Sequence, residues 1–148
     1  PFHFVLACPQ GYEPDQRLLT RAIKAGMSKI EVVRDPMEAA EGADVFYTDV
    51  WVSMGQEEEK AERLRAFSGY QINVELLSRA KPGCVVMHCL PAHRGEEITA
   101  DVLEGSHSVV LPQAKNRLHV QKGILAYLFG AGKPAGVHRD ELLETIFA

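Results

Sequence analysis

An open, mainly parallel α/β sheet with flanking helices is the fold class that these 148 residues predict. Two observations carry it. Apolar runs of strand length alternate with segments whose apolar residues recur at helical spacing, and nothing between consecutive strands carries the turn of a hairpin. A chain of this length suits a single core that buries about 70% of the surface its unfolded form exposes.

Phe2–Ala7 (FHFVLA) reads as the first strand, closed by Pro9 and the turn Gly11-Tyr12-Glu13-Pro14-Asp15. Asp15 caps a helix over Gln16–Ala25, where Leu18, Leu19, Ala22 and Ile23 recur at helical spacing and Gly26 is the stop. Lys29–Val33 is the next strand. Asp35-Pro36 sets a capping carboxylate before a proline at the first helical position, and the short helix runs to Glu41 with Gly42 behind it. Val45–Val50 is a strand. Gln56–Phe67 (QEEEKAERLRAF) is a helix with a solvated charged face, on which Glu59 stands one turn before Arg63. Val74–Ala80 reads as a short helix, Cys84–Leu90 as a strand, Glu96–Leu103 as a helix and Ser108–Leu111 as a last strand. Lys115–Phe129 is the long helix. Residues 1–130 thus form the α/β domain, and 131–148 a linker and terminal helix, because Gly130–Gly136 (GAGKPAG) breaks the composition.

A net charge of −4 with both signs interspersed offers no basic face to a phosphate backbone, so no nucleic-acid partner is expected. No apolar run approaches the ~20 residues that cross a bilayer, and no signal peptide is read at the start, so no membrane partner is expected either. The three cysteines, Cys8, Cys84 and Cys89, cannot all pair within one chain and show no CxxC spacing, which suits a reducing cytoplasm.

Ligands of open α/β sheets bind beyond the carboxyl ends of the strands. Two polar strand exits stand there. In Thr48-Asp49-Val50-Trp51-Val52-Ser53-Met54-Gly55-Gln56, a carboxylate is followed by a hydroxyl and a glycine before a helix. Backbone N–H groups in such a turn hold a carboxylate while Asp49 holds an ammonium, which together match the head of a free amino acid; the plainer reading makes Ser53 a helix cap and Asp49 a turn residue. In Val85-Val86-Met87-His88-Cys89-Leu90-Pro91-Ala92-His93-Arg94-Gly95, an apolar strand ends in an imidazole and a thiol. That end admits a zinc site drawing on His88, Cys89 or His93, a catalytic thiol, or a small buried Cys89 beside a hydrogen-bonded His88. The run Gly130-Ala131-Gly132-Lys133 is no phosphate loop, since Tyr127 and Pro134 stand where that motif needs Gly and Ser or Thr. Asn116-Arg117 starts the long helix with a guanidinium able to meet an anion or a surface carboxylate.

Asp49-Val50-Trp51-Val52-Ser53-Met54-Gly55-Gln56-Glu57, His88-Cys89-Leu90-Pro91 and Asn116-Arg117-Leu118-His119, in that order, resemble ornithine carbamoyltransferase, and the similarity extends from about Phe4 to Leu128. The resemblance implies a Rossmann-like domain that binds L-ornithine through Asp49, Ser53, Met54 and Cys89. Cys89 takes the proton-acceptor role with Asp49 nearby, and His88, Leu90 and Arg117 contact the carbamoyl group. The implied reaction moves the carbamoyl group of carbamoyl phosphate to ornithine, giving citrulline and phosphate as in arginine biosynthesis, with no metal and no cofactor.

The sequence also departs from the family. The Ser-x-Arg-Thr-Arg loop of the family's amino-terminal domain, which holds most of the carbamoyl phosphate, is not among these residues. Nor is the βα unit that opens the family's ornithine domain and occupies the middle of its sheet. Lys115 stands where an acidic residue is usual. The expectation is therefore a chain that needs a complementary partner or an altered strand arrangement, associates as a homo-oligomer in a family that forms trimers, and is inactive alone. A non-catalytic, truncated or rearranged ornithine-binding module is the alternative, and a sister enzyme acting on another amine is a narrower third reading.

Overall fold

In the computed structural model, residues 2–52, 55 and 57–130 are described. The chain divides into two compact units, Pro1–Gln113 and Ala114–Ala148. Among the described residues, the first contains four strands, all in parallel pairs. Strand β1 (His3–Ala7) lies in register with β2 (Lys29–Val33), and β3 (Val45–Thr48) with β4 (Val85–His88). Helices α1 (Gln16–Lys24), α2 (Pro36–Ala40), α3 (Lys60–Ala66), α4 (Val74–Leu77) and α5 (Ala100–Leu103) fill the connections, with a short 3-10 turn over Glu57–Glu59. Helix α6 (Val110–Leu128) begins in the first unit and runs into the second.

This is the open, parallel α/β class that alternating elements predict. Its strands form two two-stranded sheets rather than one continuous ladder. Among the described residues, β1 and β3 each have one strand neighbour, leaving their other sides without ladder bonds.

Local chemistry sets the element ends. Asp15 accepts hydrogen bonds from the N–H groups of Arg17 (2.9 Å) and Leu18 (3.1 Å), satisfying donors that the first turn of α1 cannot pair. Gly26, at φ +65°, closes that helix in a conformation costly to any residue with a Cβ. Asp35 repeats the device at α2, taking Met37 N–H at 2.8 Å while Pro36 fills a position that needs no donor.

The core lies on the β3–β4 side. Ala40, Phe46, Ile72, Leu76, Cys84, Val86, Ile98, Val102, Leu103 and Val110 form one buried cluster. Val86 and Ile98 are wholly enclosed. Around β1 and β2 only Cys8 is buried, and α1 buries none of its residues. Arg34 ties that layer down by donating to the carbonyl oxygens of Cys8 (3.0 Å) and Pro9 (3.1 Å) and pairing with Glu13.

Several expected elements differ: the long helix read from Lys115 begins at Val110, and the helix read over Gln56–Phe67 is a 3-10 turn at Glu57–Glu59 followed by a helix from Lys60. Ser108–Leu111 is not a strand, since Ser108 makes one isolated parallel bridge to Val86 and α6 starts at Val110. The cause is Pro112, which suits the first turn of a helix and cannot extend a ladder. Glu96–Leu103 is helical only from Ala100, because Ile98 is drawn into bridges with Ile72 and Arg94 and Glu97 turns inward. In the second unit, α6 exposes Leu118, Val120, Ile124, Leu125 and Leu128. The expected tail over 131–148 lies outside the described residues, and no described helix is long and apolar enough to cross a membrane.

Candidate active site

Thr48 and His88 are register partners at the carboxyl ends of β3 and β4, so the next residues, Asp49 and Cys89, leave the sheet side by side. The Cys89 thiol donates to Asp49 Oδ1 at 2.9 Å, and the same oxygen accepts Val50 N–H at 2.7 Å. Cys89 is half-buried and Asp49 exposed. Burial, then the hydrogen bond and charge of Asp49, push the Cys89 thiol up to about 11. At neutral pH it is an S–H donor, not a thiolate.

Alternation along β4 separates the two cysteines of this region. Cys84, Val86 and His88 face the core and are buried, whereas Val85, Met87 and Cys89 are partly exposed. His88 is 1% exposed, with both ring nitrogens committed. Nδ1 accepts Leu90 N–H at 2.8 Å, which leaves Nε2 protonated to donate to Glu97 Oε1 at 3.0 Å. The resemblance implies that His88 contacts the carbamoyl group; in this structure its Nε2 meets Glu97. Leu90 sits at φ +57°, a left-handed conformation costing a leucine about 1–2 kcal/mol, and it turns its N–H back onto His88. The Leu90–Pro91 peptide is cis.

Of the residues expected to form the site, Asp49, His88, Cys89 and Leu90 come together at these strand ends. Ser53 and Met54 lie outside the described residues. Arg117 belongs to the second unit, where it is an exposed residue of α6. The zinc reading based on Cys89 and His88 finds both occupied, one by Asp49 and one by Glu97.

Three features escaped the sequence reading. Glu97, wholly buried, accepts from both His88 Nε2 and His93 N–H. Gln113 accepts His88 N–H through Oε1 at 3.0 Å and donates to Tyr47 Oη at 3.3 Å, tying β4 to β3. Trp51 stacks on Phe67 at 5.9 Å, and Tyr12 and Tyr70 meet that ring edge-on, so the loops following β1 and β3 share an aromatic anchor. The only available signal was the Glu-Glu pair just after the histidine-rich strand end.

A carboxylate and a thiol in contact at adjoining strand ends of a parallel α/β domain stand at the sheet's carboxyl edge, where ligands of such folds bind. Residues 1–128 match the family described as aspartate/ornithine carbamoyltransferase, Asp/Orn binding domain, and the chain belongs to that family. It is 59% identical over 128 residues to an ornithine carbamoyltransferase of Chlorobaculum tepidum, covering 86% of this chain and 38% of the relative. With the chloroplastic enzyme of Pisum sativum the identity is 53%, covering 88% and 35%. Among solved structures, ornithine carbamoyltransferase from Pyrococcus furiosus superposes with a TM-score of 0.77 at 50% identity, covering 87% of this chain and 42% of that one. The anabolic enzyme from Campylobacter jejuni gives 0.82 at 35% identity, covering 88% and 44%. The chain thus spans well under half the length of these relatives.

Proposed function

We infer that this chain supplies the ornithine-binding portion of a carbamoyltransferase that converts L-ornithine and carbamoyl phosphate to citrulline and phosphate. The observation that carries the reading is the Cys89–Asp49 contact at the ends of adjoining parallel strands. Asp49 holds the ammonium of the α-amino acid head, whose carboxylate the turn carrying Ser53 and Met54 receives, and the side-chain ammonium lies beside Cys89. An ammonium has no lone pair, so it must lose a proton before it attacks. Cys89 takes that proton at sulfur as its own S–H proton passes to Asp49 Oδ1, a relay that leaves the thiol neutral throughout. The amine nitrogen then bonds to the carbamoyl carbon, the carbon–oxygen bond to phosphate breaks, and phosphate leaves with the electron pair and takes up the second proton of the amine nitrogen. Arg117 is assigned to the oxygen that gains negative charge, and the backbone of Leu90 to the carbamoyl amide. His88 acts as a positioning residue, fixing Leu90 N–H from behind.

Phosphate binding falls to a complementary amino-terminal portion, in an assembly that is homo-oligomeric, trimeric and cytoplasmic on this reading. The test is a citrulline assay with that portion of a relative supplied and withheld, together with calorimetric titration of L-ornithine. Citrulline only in the supplied mixture supports the reading. Saturable ornithine binding with no citrulline in either mixture would favour a non-catalytic module, and no binding in the supplied mixture would overturn the ornithine assignment.

A further inference from the structure

We propose that His93, Glu96 and Glu97 form a site for one first-row divalent cation, of the zinc(II) class, in the loop between β4 and α5. One ligand atom from each residue lies within 4.8 Å of those of the other two. A second, independent observation points to a missing cation. Glu97 is wholly buried, and its Oε2 has no hydrogen-bond partner; Glu96 Oε2 is likewise enclosed and makes no hydrogen bond. Carboxylate oxygens shut away from water without a hydrogen-bond donor are costly unless something positive stands beside them.

The charges already present leave this need unmet. Lys60 Nζ reaches the other oxygen of Glu96, Oε1, at 3.5 Å. Arg94 turns away to pair with Glu104 at 2.9 Å. His93 Nδ1 stands 3.6 Å from Glu96 Oε2, beyond ordinary hydrogen-bond reach. His88 occupies only Oε1 of Glu97.

The loop holds these donors in place before any ligand arrives. His93 N–H donates to Glu97 Oε1 at 2.6 Å, Glu96 N–H to the His93 carbonyl at 3.0 Å, and Gly95 N–H to the Ile98 carbonyl at 2.9 Å. Gln71 Nε2 fixes the Glu96 carbonyl at 2.7 Å, and Ile72 N–H the Glu97 carbonyl at 2.9 Å. Ligand atoms of a tetrahedral zinc stand roughly 3.3 Å apart, so the partly exposed His93 and Glu96 side chains must turn toward the fixed Glu97 to close the set. One imidazole and two carboxylates suit zinc or cobalt(II) and disfavour magnesium or calcium, which prefer all-oxygen sets. His93, about half exposed, leaves the fourth position to water.

The test is titration of the metal-free chain with cobalt(II), read by its visible d–d absorption and by calorimetry, then competition with zinc(II). One ion per chain is expected, with no thiolate-to-metal charge-transfer band. Affinity should fall at least about tenfold in His93→Ala and in Glu96→Gln and stay unchanged in Cys89→Ser. Circular dichroism of the two loop variants controls for folding, and both residues reach solvent, so native spectra are expected. Absence of saturable binding, binding that survives both loop substitutions, or a charge-transfer band abolished by Cys89→Ser would each overturn the proposal, leaving a water between the carboxylates or a thiolate site instead.

Discussion

Glu97 Oε1 lies 3.0 Å from His88 Nε2, with both side chains wholly enclosed, and the same oxygen takes His93 N–H at 2.6 Å. One atom thereby fixes the imidazole behind Cys89 and the loop that follows Pro91. Glu97→Ala leaves the buried His88 Nε2–H and the part-buried His93 N–H without an acceptor and is expected to cost about 2–5 kcal/mol of stability. Glu97→Gln retains a carbonyl oxygen and costs less. Urea unfolding midpoints should fall in that order, and equal midpoints would show that this oxygen does not hold the strand end.

The raised Cys89 thiol gives a pH signature. Its folded value of about 11 exceeds the ordinary value of 9.0, so the folded state holds a proton that the unfolded chain releases first. Its contribution to stability is complete below pH 9 and is lost as pH rises toward about 11. Alkylation of Cys89 should therefore accelerate well above the pH usual for a free thiol. Asp49→Asn, which removes the charge that helps raise it, should make Cys89 react several-fold faster at pH 8. Cys8 and Cys84, both buried and both raised by burial, should react slowly in either protein. Mass-resolved labelling rates decide it, and an Asp49→Asn rate equal to the parent's would remove Asp49 as a cause.

On the proposed function, Asp49→Asn also weakens L-ornithine binding. Loss of a charge-assisted hydrogen bond is worth about 1.5–3 kcal/mol, or roughly 10- to 150-fold in Kd. Asp49 is exposed, so the fold should be unaffected. Calorimetry in the complemented assembly measures the change, and an unaltered Kd would remove Asp49 from the site.

The two strand pairs should differ in local stability. Strands β3 and β4 contribute Phe46, Val86 and His88 to the buried interior, whereas no residue within β1 or β2 is fully buried. Backbone amides of β1 and β2 should then exchange with solvent faster than those of β3 and β4, opening as a separate unit. Hydrogen exchange resolved by NMR reads this directly, and equal protection would show that the two sheets open together.

Patterns that act locally were legible in the sequence. The span of β2, Lys29–Val33, emerges as read, and the caps Asp15 and Asp35 make the bonds their positions predict. The partition of Cys84 from Cys89 followed from strand alternation alone. Contacts between distant residues were not legible. Glu97 fell within the expected helix Glu96–Leu103, whereas Ile72 pairs with Ile98 and Glu97 is buried. Gln113 carried no signal in the sequence; with α6 starting at Val110 its amide meets the backbone of His88. Pairing choices of that kind depend on which strands lie adjacent, and no local pattern records them.

The last prediction concerns the chain by itself. Carbamoyl transfer needs two substrates held in register, and only the ornithine pocket is proposed here, with no Ser-x-Arg-Thr-Arg loop among the 148 residues. Positioning of that kind is worth roughly 7–11 kcal/mol, so one substrate's pocket alone yields almost none of the rate. The sheet points the same way, since β1 and β3 each have a side without a strand neighbour among the described residues. A segment supplying a strand there would add backbone hydrogen bonds and cover the exposed Phe4 and Val45. The chain alone is therefore expected to produce no measurable citrulline. Adding a relative's amino-terminal portion together with its adjoining strand should raise both Tm and citrulline formation, whereas the portion without that strand should raise Tm less. Robust citrulline production by the monomeric chain alone would overturn the dependence on a partner.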